Sequence, residues 1–416
     1  MRVLHVVHQY PPQQVGGTEL YTQTVAQGMA ARGHPVAVFT RSRGQGTGTA
    51  CAVEDSVAIY RTWEGDPSPA VRYAAHFRRG PLLAAFDHVL AEFQPDVVHV
   101  QHLMGLPLAI LERLRRERLP YIVTLHDYWW VCANAQLVTN YSATVCAGPR
   151  GYVNCTRCAV ARSGGQGAIL APALWGSLAR RGALLRRGLE EAAALLVSAR
   201  FVADWYAAHS VPVERLRILP LGVDRPADFD RKRCDPRLPL QLVYIGSLSW
   251  LKGVHVALEA ISGMEGTLEL WVAGDPLTEP AYTERLAALA GANVHFVGRL
   301  DRAGVWQLLE KVDVLLAPSL SYETYCYSVH EALAAGVPVV ASRLGVLAET
   351  VQDGVNGLLA QPGDVAAWRA AIRRLVEEPG LAARLASSAT APSTVEAHLA
   401  QLEQVYRAAV VEKSRA

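Results

Sequence analysis

The sequence has no uninterrupted apolar run of the ~18 residues that a membrane-crossing helix needs. Its opening apolar stretch, Val3 to Val7, is too short for the core of a secretory signal and is followed by Pro11 and Pro12. A cytoplasmic location is therefore expected, with peripheral contact to the inner face of a membrane as an addition. Charge of one sign is also lacking: 40 basic and 38 acidic residues leave a formal net charge of +2. No global field recruits nucleic acid, which is not expected as a partner. No short-period repeat is present, and the one low-complexity tract, Gly44 to Thr49, reads as a mobile loop. With 51% hydrophobic and 19% charged residues, the composition excludes a disordered chain.

What the chain does contain is alternation. Its 416 residues exceed one ordinary core, and two domains are expected. Val3–Val7 has the β-branched, apolar character of a buried parallel strand. Gly16-Gly17 makes a turn, Thr18 can cap a helix running to Ala31, and Pro35–Thr40 forms the next strand. Buried strands recur at Asp96–Val100, Tyr121–Leu125, Ala194–Ser198 and Arg217–Leu219. A second series begins at Leu240–Gly246 and continues at Leu268–Ala273, Val294–Val297, Val312–Ala317 and Val337–Ala341, with helical segments between. This predicts an α/β chain of two Rossmann-like, doubly wound domains facing across a cleft. The expected organisation is a domain over 1–219, a linker over 220–239, a second domain over 240–390, and a C-terminal segment over 391–416. That last segment carries an amphipathic helix able to cross back to the first domain.

The segment from Tyr322 to Gly336 is the richest in chemistry. It follows a buried strand ending at Pro318, which puts Glu323 in a loop and Glu331 inside the following helix. Two carboxylates so placed can accept hydrogen bonds from hydroxyls along one extended ligand. Backbone amides near Tyr325 to Ser328 can receive a phosphate. The Glu-x7-Glu spacing, followed by Ala332-Leu333-Ala334-Ala335-Gly336-Val337-Pro338, resembles the donor-site motif of family 4 retaining glycosyltransferases of GT-B fold. Gly16-Gly17-Thr18-Glu19 with Gly33-His34, Pro220–Asp224, and Gly246–Gly253 resemble three further parts of that family in the right order.

The resemblance implies a retaining transfer of a sugar from a nucleotide-diphosphate sugar, the co-substrate, with no cofactor or metal required for catalysis. It implies that Glu331 binds the donor ribose, Glu323 the hydroxyls of the transferred sugar, and Lys252 the diphosphate. Gly16 and Gly17 would let backbone approach that diphosphate, and His126 matches the family's N-domain histidine near the transferred sugar. Tyr325, Cys326 and Tyr327 complete the implied donor site. Two positions depart from the pattern. Ser247 stands where the family commonly has arginine, which leaves Lys252 without its usual partner; Arg299 and Arg343 are candidate substitutes. Cys326 stands where glycine is usual.

Cys132, Cys146, Cys155 and Cys158 crowd into a segment rich in glycine, proline and asparagine. In a reducing compartment their spacing favours a structural zinc site over disulfides, with free or redox-active thiols as the alternative. Tyr128, Trp129 and Trp130 can either stack on an acceptor sugar or pack beneath this segment. The basic stretch Leu178–Gly188, preceded by Trp175, reads as a solvated packing helix, with an anionic membrane surface as the other reading. The acceptor remains open among a glycan, a lipid-linked saccharide and a small molecule. Competing functions are a nucleotide-sugar epimerase or phosphorylase on the same fold, and a non-catalytic pseudo-glycosyltransferase that keeps the nucleotide site.

Overall fold

The computed structural model describes residues 1–12, 16–44, 46–65, 67–165, 168–231, 238–389 and 391–415. Residues 232–237 of the expected linker, and Gln45 of the expected loop, lie outside them. The chain separates into two compact units, Met1–Leu221 with Glu396–Ala416, and Gly222–Val395.

The first unit is built on eight strands: β1 (Val3–Val7), β2 (Val36–Ser42), β3 (Thr49–Glu54), β4 (Val57–Trp63), β5 (Val97–Val100), β6 (Tyr121–Thr124), β7 (Ala194–Val197) and β8 (Leu216–Ile218). Their order in the sheet is β3-β4-β2-β1-β5-β6-β7-β8. Every pairing is parallel except that of β3 with β4. The strands β1, β2, β5, β6 and β7 are buried along their whole length, as near-continuous runs of Val, Ile and Leu require when helices cover both faces. The edge strand β3 is exposed throughout and took in Thr49, which sequence reading had placed in the loop. The first helix spans Gly17–Ala31 with Gly16 as its N-cap, so Thr18 lies inside the first turn rather than capping it. The Thr18 carbonyl instead accepts from Thr22 Oγ1 at 2.7 Å.

The C-terminal helix, Val395–Arg415, packs in this unit through Leu399, Leu402, Tyr406 and Ala409. It comes so close to the first helix that a Cβ on Gly28 would sit 2.4 Å from the Leu399 side chain. Tyr406 Oη meets the buried His99 Nδ1 at 2.6 Å.

The second unit carries β9 (Leu240–Ile245), β10 (Leu268–Ala273), β11 (Val294–Gly298), β12 (Val314–Ala317), β13 (Val339–Ser342) and β14 (Gly357–Ala360), all parallel, in the order β11-β10-β9-β12-β13-β14. Its core joins Leu242, Leu270 and Leu316 from the sheet to Val254, Leu258, Trp368 and Ile372 from the covering helices. In each unit the strand order reverses beside its first strand, at β1/β5 and at β9/β12. The carboxyl ends at such a reversal are where open parallel sheets leave a crevice for ligands.

Candidate active site

In the second unit the reversal is furnished by the residues that sequence reading singled out. After β9 the chain runs through Gly246 and Ser247 into a short 3-10 turn, Trp250–Lys252. Tyr244 Oη donates to the Ser247 carbonyl at 2.8 Å and so fixes the start of the loop. Gly253 ends the turn in a left-handed conformation, and a Cβ there would lie 2.0 Å from the Pro318 carbonyl oxygen. Only glycine lets the loop after β9 lie against the loop after β12.

That approach brings Lys252 to Glu323. Lys252 Nζ donates to Glu323 Oε1 at 2.7 Å, and Ser319 Oγ donates to the same oxygen at 2.6 Å. Lys252 keeps 32% of its side-chain surface and Glu323 13%. Burial disfavours both charges, but mutual attraction wins: it holds the lysine above its usual pKa and the carboxyl below its own. The site therefore presents an ionised pair, able to offer a cation to phosphate and an acceptor to hydroxyls.

Glu331 behaves differently. It lies in the helix Tyr327–Ala334, is 7% exposed, and accepts from Arg302 Nη1 at 3.3 Å. Burial pushes its pKa up to about 7, and the half-exposed Arg302 only partly offsets this. Tyr325 stacks on His330 with ring centroids 3.8 Å apart and meets Tyr327 edge-on at 5.0 Å. Cys326 is the N-cap of the helix at φ +64°, so it adopts the backbone for which glycine is usual. Burial raises its thiol to about 11. Of the substitutes for the missing arginine, Arg343 is tied to Asp353 at 2.6 Å, and Arg299 is exposed. The cation beside Glu331 is Arg302, which sequence reasoning missed because 29 residues separate the two.

In the first unit, Gly16 and Gly17 are exposed at the start of the first helix. His126 Nε2 meets Gln101 Oε1 at 2.7 Å, and its ring lies edge-on to Tyr21. Burial, followed by the neighbouring His102, drives its pKa down to about 3, so the imidazole is neutral. A cluster not foreseen from sequence sits beside it. His102 Nε2 lies 3.2 Å from Asp127 Oδ2, His8 Nε2 lies 3.4 Å from Glu19 Oε1, and the His8 and His102 rings are 4.5 Å apart. Asp127 stays below the usual carboxylate range because His102 and the Trp129 amide outweigh its desolvation. Strand ends at positions 8, 102 and 127 carried the only available signal.

Tyr128, Trp129 and Trp130 are buried at 1%, 1% and 2% exposure, which rules out stacking on an acceptor and makes them packing residues. Trp129 instead meets the buried Arg181, whose guanidinium donates to its carbonyl at 2.6 Å and lies 4.4 Å from its ring. The four thiols are free, and burial raises two of them: Cys132 upward, and Cys155 to about 12, first through burial and then through the nearby Cys132, Cys146 and Cys158. The sulfurs of Cys146, Cys155 and Cys158 are engaged with Gly148, Asn154 and Asn140. Among the described residues no group of three or more His, Cys, Asp or Glu side chains is placed to hold a metal ion.

Comparison with known proteins agrees with this architecture. Residues 15–225 match the family described as Glycosyltransferase Family 4, and residues 239–378 match Glycosyl transferases group 1. A glycogen synthase of Mycobacterium tuberculosis is 28% identical over 411 residues, covering 94% of this chain and 89% of that protein. A D-inositol 3-phosphate glycosyltransferase of Acidothermus cellulolyticus is 34% identical over 245 residues, 52% of this chain and 53% of that one. Among solved structures, sucrose-phosphate synthase from Thermosynechococcus elongatus superposes with a TM-score of 0.73 at 20% identity, covering 98% of both chains. Anabaena Alr3699/HepE in complex with UDP and glucose gives 0.68 at 19% identity, covering 98% of this chain and 99% of that one. The fold is GT-B, the activity class is glycosyl transfer, and the chain belongs to Glycosyltransferase Family 4.

Proposed function

We propose that the protein is a retaining glycosyltransferase whose second unit, the donor domain, binds a nucleotide-diphosphate sugar at the β9/β12 reversal. Lys252 faces the diphosphate and stabilises negative charge as the nucleotide leaves. Glu323, kept ionised, accepts from hydroxyls of the transferred sugar. Glu331 accepts from the ribose and does so best once deprotonated. Amides at Tyr325 to Ser328 supplement the single lysine at the phosphates, in place of the arginine that Ser247 replaces. The first unit serves the acceptor, a saccharide, free or lipid-linked; its Gly16, Gly17 and His126 are assigned to the reaction by motif alone. The observation that carries this reading is the Lys252–Glu323 contact of 2.7 Å in the loop that leads into the helix of the buried Glu331.

The test is a thermal-shift panel with UDP, GDP, ADP and their sugar conjugates, beginning with UDP because HepE is described with it. A nucleotide at ~100 times its dissociation constant should stabilise the protein by about 2.7 kcal/mol. Glu331→Ala should lose most of that shift. No shift with any nucleotide would sink the donor site. Binding without donor hydrolysis or transfer to any acceptor would instead favour a non-catalytic nucleotide-sugar binder, the reading that Ser247 supports.

A further inference from the structure

Between Tyr128 and Leu189 the chain carries seven arginines and no aspartate, glutamate or lysine, although overall its charges balance. The structure gathers this segment on one helical hairpin, Val153–Arg162 and Ala171–Glu190. The longer helix turns Leu178, Arg181, Leu185, Gly188 and Leu189 inward. Arg150, Arg157, Arg162, Arg180, Arg186 and Arg187 are exposed. Arg187 pairs with Glu191. Arg157 lies over Tyr141, Arg180 over Phe77, and Arg162 donates to Asn134, none of them a carboxylate.

Apolar side chains crowd the same hairpin. Ile169 is 88% exposed, Val153 69%, Leu170 58% and Trp175 48%. Val153 and Trp175 line one shallow groove between the helices. Trp175 Nε1 already donates to the Gly151 carbonyl at 2.8 Å, so the exposed part of the ring is apolar. Along the helix axis Arg180 and Arg186 stand ~8 Å and ~16 Å from Trp175. Arg157 lines the same groove and Arg162 closes the first helix, while Arg180 and Arg186 are set back. Apolar residues ringed by cations suit a bilayer interface, where apolar groups sink ~5–10 Å and cations meet anionic headgroups.

We propose that this hairpin docks the protein on an anionic phospholipid surface, with Ile169, Leu170 and Trp175 inserted and Arg180 and Arg186 on the headgroups. No helix among the described residues is long and apolar enough to cross a membrane, so the contact is peripheral. Aliphatic residues at the end of the hairpin favour lipid over nucleic acid, whose bases would call for aromatic stacking. Leu178–Gly188, for which the sequence favours a packing helix over a membrane surface, does spend its inward leucines on packing; the lipid-facing apolar groups lie earlier.

The test is co-sedimentation of the full chain with vesicles of phosphatidylcholine, alone or with about a third phosphatidylglycerol. Binding should require the anionic lipid and fall steeply between ~0.1 M and ~1 M salt, as the Debye length shrinks from ~10 to ~3 Å. Ile169→Ser with Leu170→Ser should lose at least about tenfold in affinity. Arg180→Gln with Arg186→Gln should lose roughly fivefold per arginine. Both variants should keep the parent's melting temperature and nucleotide-induced shift, which separates this proposal from the donor-site reading. Absence of vesicle binding, equal binding to neutral vesicles, or parent-like binding by both variants would overturn it. So would a polyanion such as heparin that binds the chain while vesicles do not.

Discussion

The two units place titratable side chains in and just beyond the parallel strands around the reversal of strand order, and treat them oppositely. In the second unit Lys252 and Glu323 remain charged because each is the other's partner at 2.7 Å. In the first, burial strips His5 and His126 of their protons, to pKa values of about 3, and holds His8 and His99 well below the usual imidazole range. A charged pair costs desolvation whether or not a ligand is present, so its retention marks a place where charge is used. Neutral imidazoles in a hydrogen-bonded network cost little and can hold a loop in place.

The largest effect is expected where the charge is used. Lys252→Met removes the cation from the phosphates and leaves Glu323 buried without its partner. Turnover should fall about 10²–10³-fold, and the Glu323 pKa should rise. Steady-state kinetics at saturating donor, together with a carboxyl titration, checks both. If turnover drops by less than tenfold, Lys252 is a surface lysine and the contrast between the units is wrong.

Glu331 tests the same unit from the other side. Its folded pKa of about 7 exceeds the ordinary 4.5, so the folded state holds the extra proton. Stability from this group is full below pH 4.5 and is lost as pH rises through 7. Glu331→Gln should therefore stabilise the free protein at pH 8 by about 1–3 kcal/mol and change little at pH 4.5. Denaturant melts at the two values measure it, and the same variant should bind nucleotide more weakly. A stability gain coupled to a binding loss is what a site strained for ligand predicts.

In the first unit the carboxylate beside the histidines, Asp127, keeps its charge, and the effect should be smaller. Its pKa is depressed, so its contribution is present above the ordinary 3.8 and disappears as pH falls through the folded value. With 34% of its side chain exposed, screening leaves about 1 kcal/mol for Asp127→Asn to remove at pH 7. The difference should close in acid. A loss that persists at low pH would mean that shape, not charge, holds this corner.

The two regions also differ in how much of them the sequence disclosed. Continuous apolar runs made β1, β5, β9 and β12 legible, and the spacing of Glu323 and Glu331 within one strand-loop-helix segment placed both carboxylates. β3 escaped because it is exposed on both faces and carries no alternation. The short β14, Gly357–Ala360, offered too few residues to show a period. Arg302 at Glu331, and the meeting of His8, Glu19, His102 and Asp127, are products of strand order. Local pattern does not encode which strand ends are neighbours, so partners distant in sequence stayed hidden while those within one segment did not.

The smallest expected effect concerns Cys326, where a resemblance and a backbone angle can be set against each other. A side chain in the left-handed region costs ~1–2 kcal/mol, and Cys326 sits there at φ +64°. Glycine would remove that strain but widen the unfolded ensemble by ~0.4–1 kcal/mol and forfeit a small buried thiol. Cys326→Gly should therefore lie within about 1 kcal/mol of the parent. Cys326→Ala keeps the strain while losing the sulfur, and should fall below the glycine variant by about 0.5–1 kcal/mol. Cys326→Val, branched at Cβ, should fall further. The order glycine above alanine above valine in denaturant melts is the signature of the left-handed turn. Alanine equal to glycine would show that the loop entering the helix follows another path, and would remove the amides from Tyr325 to Ser328 from the phosphate site.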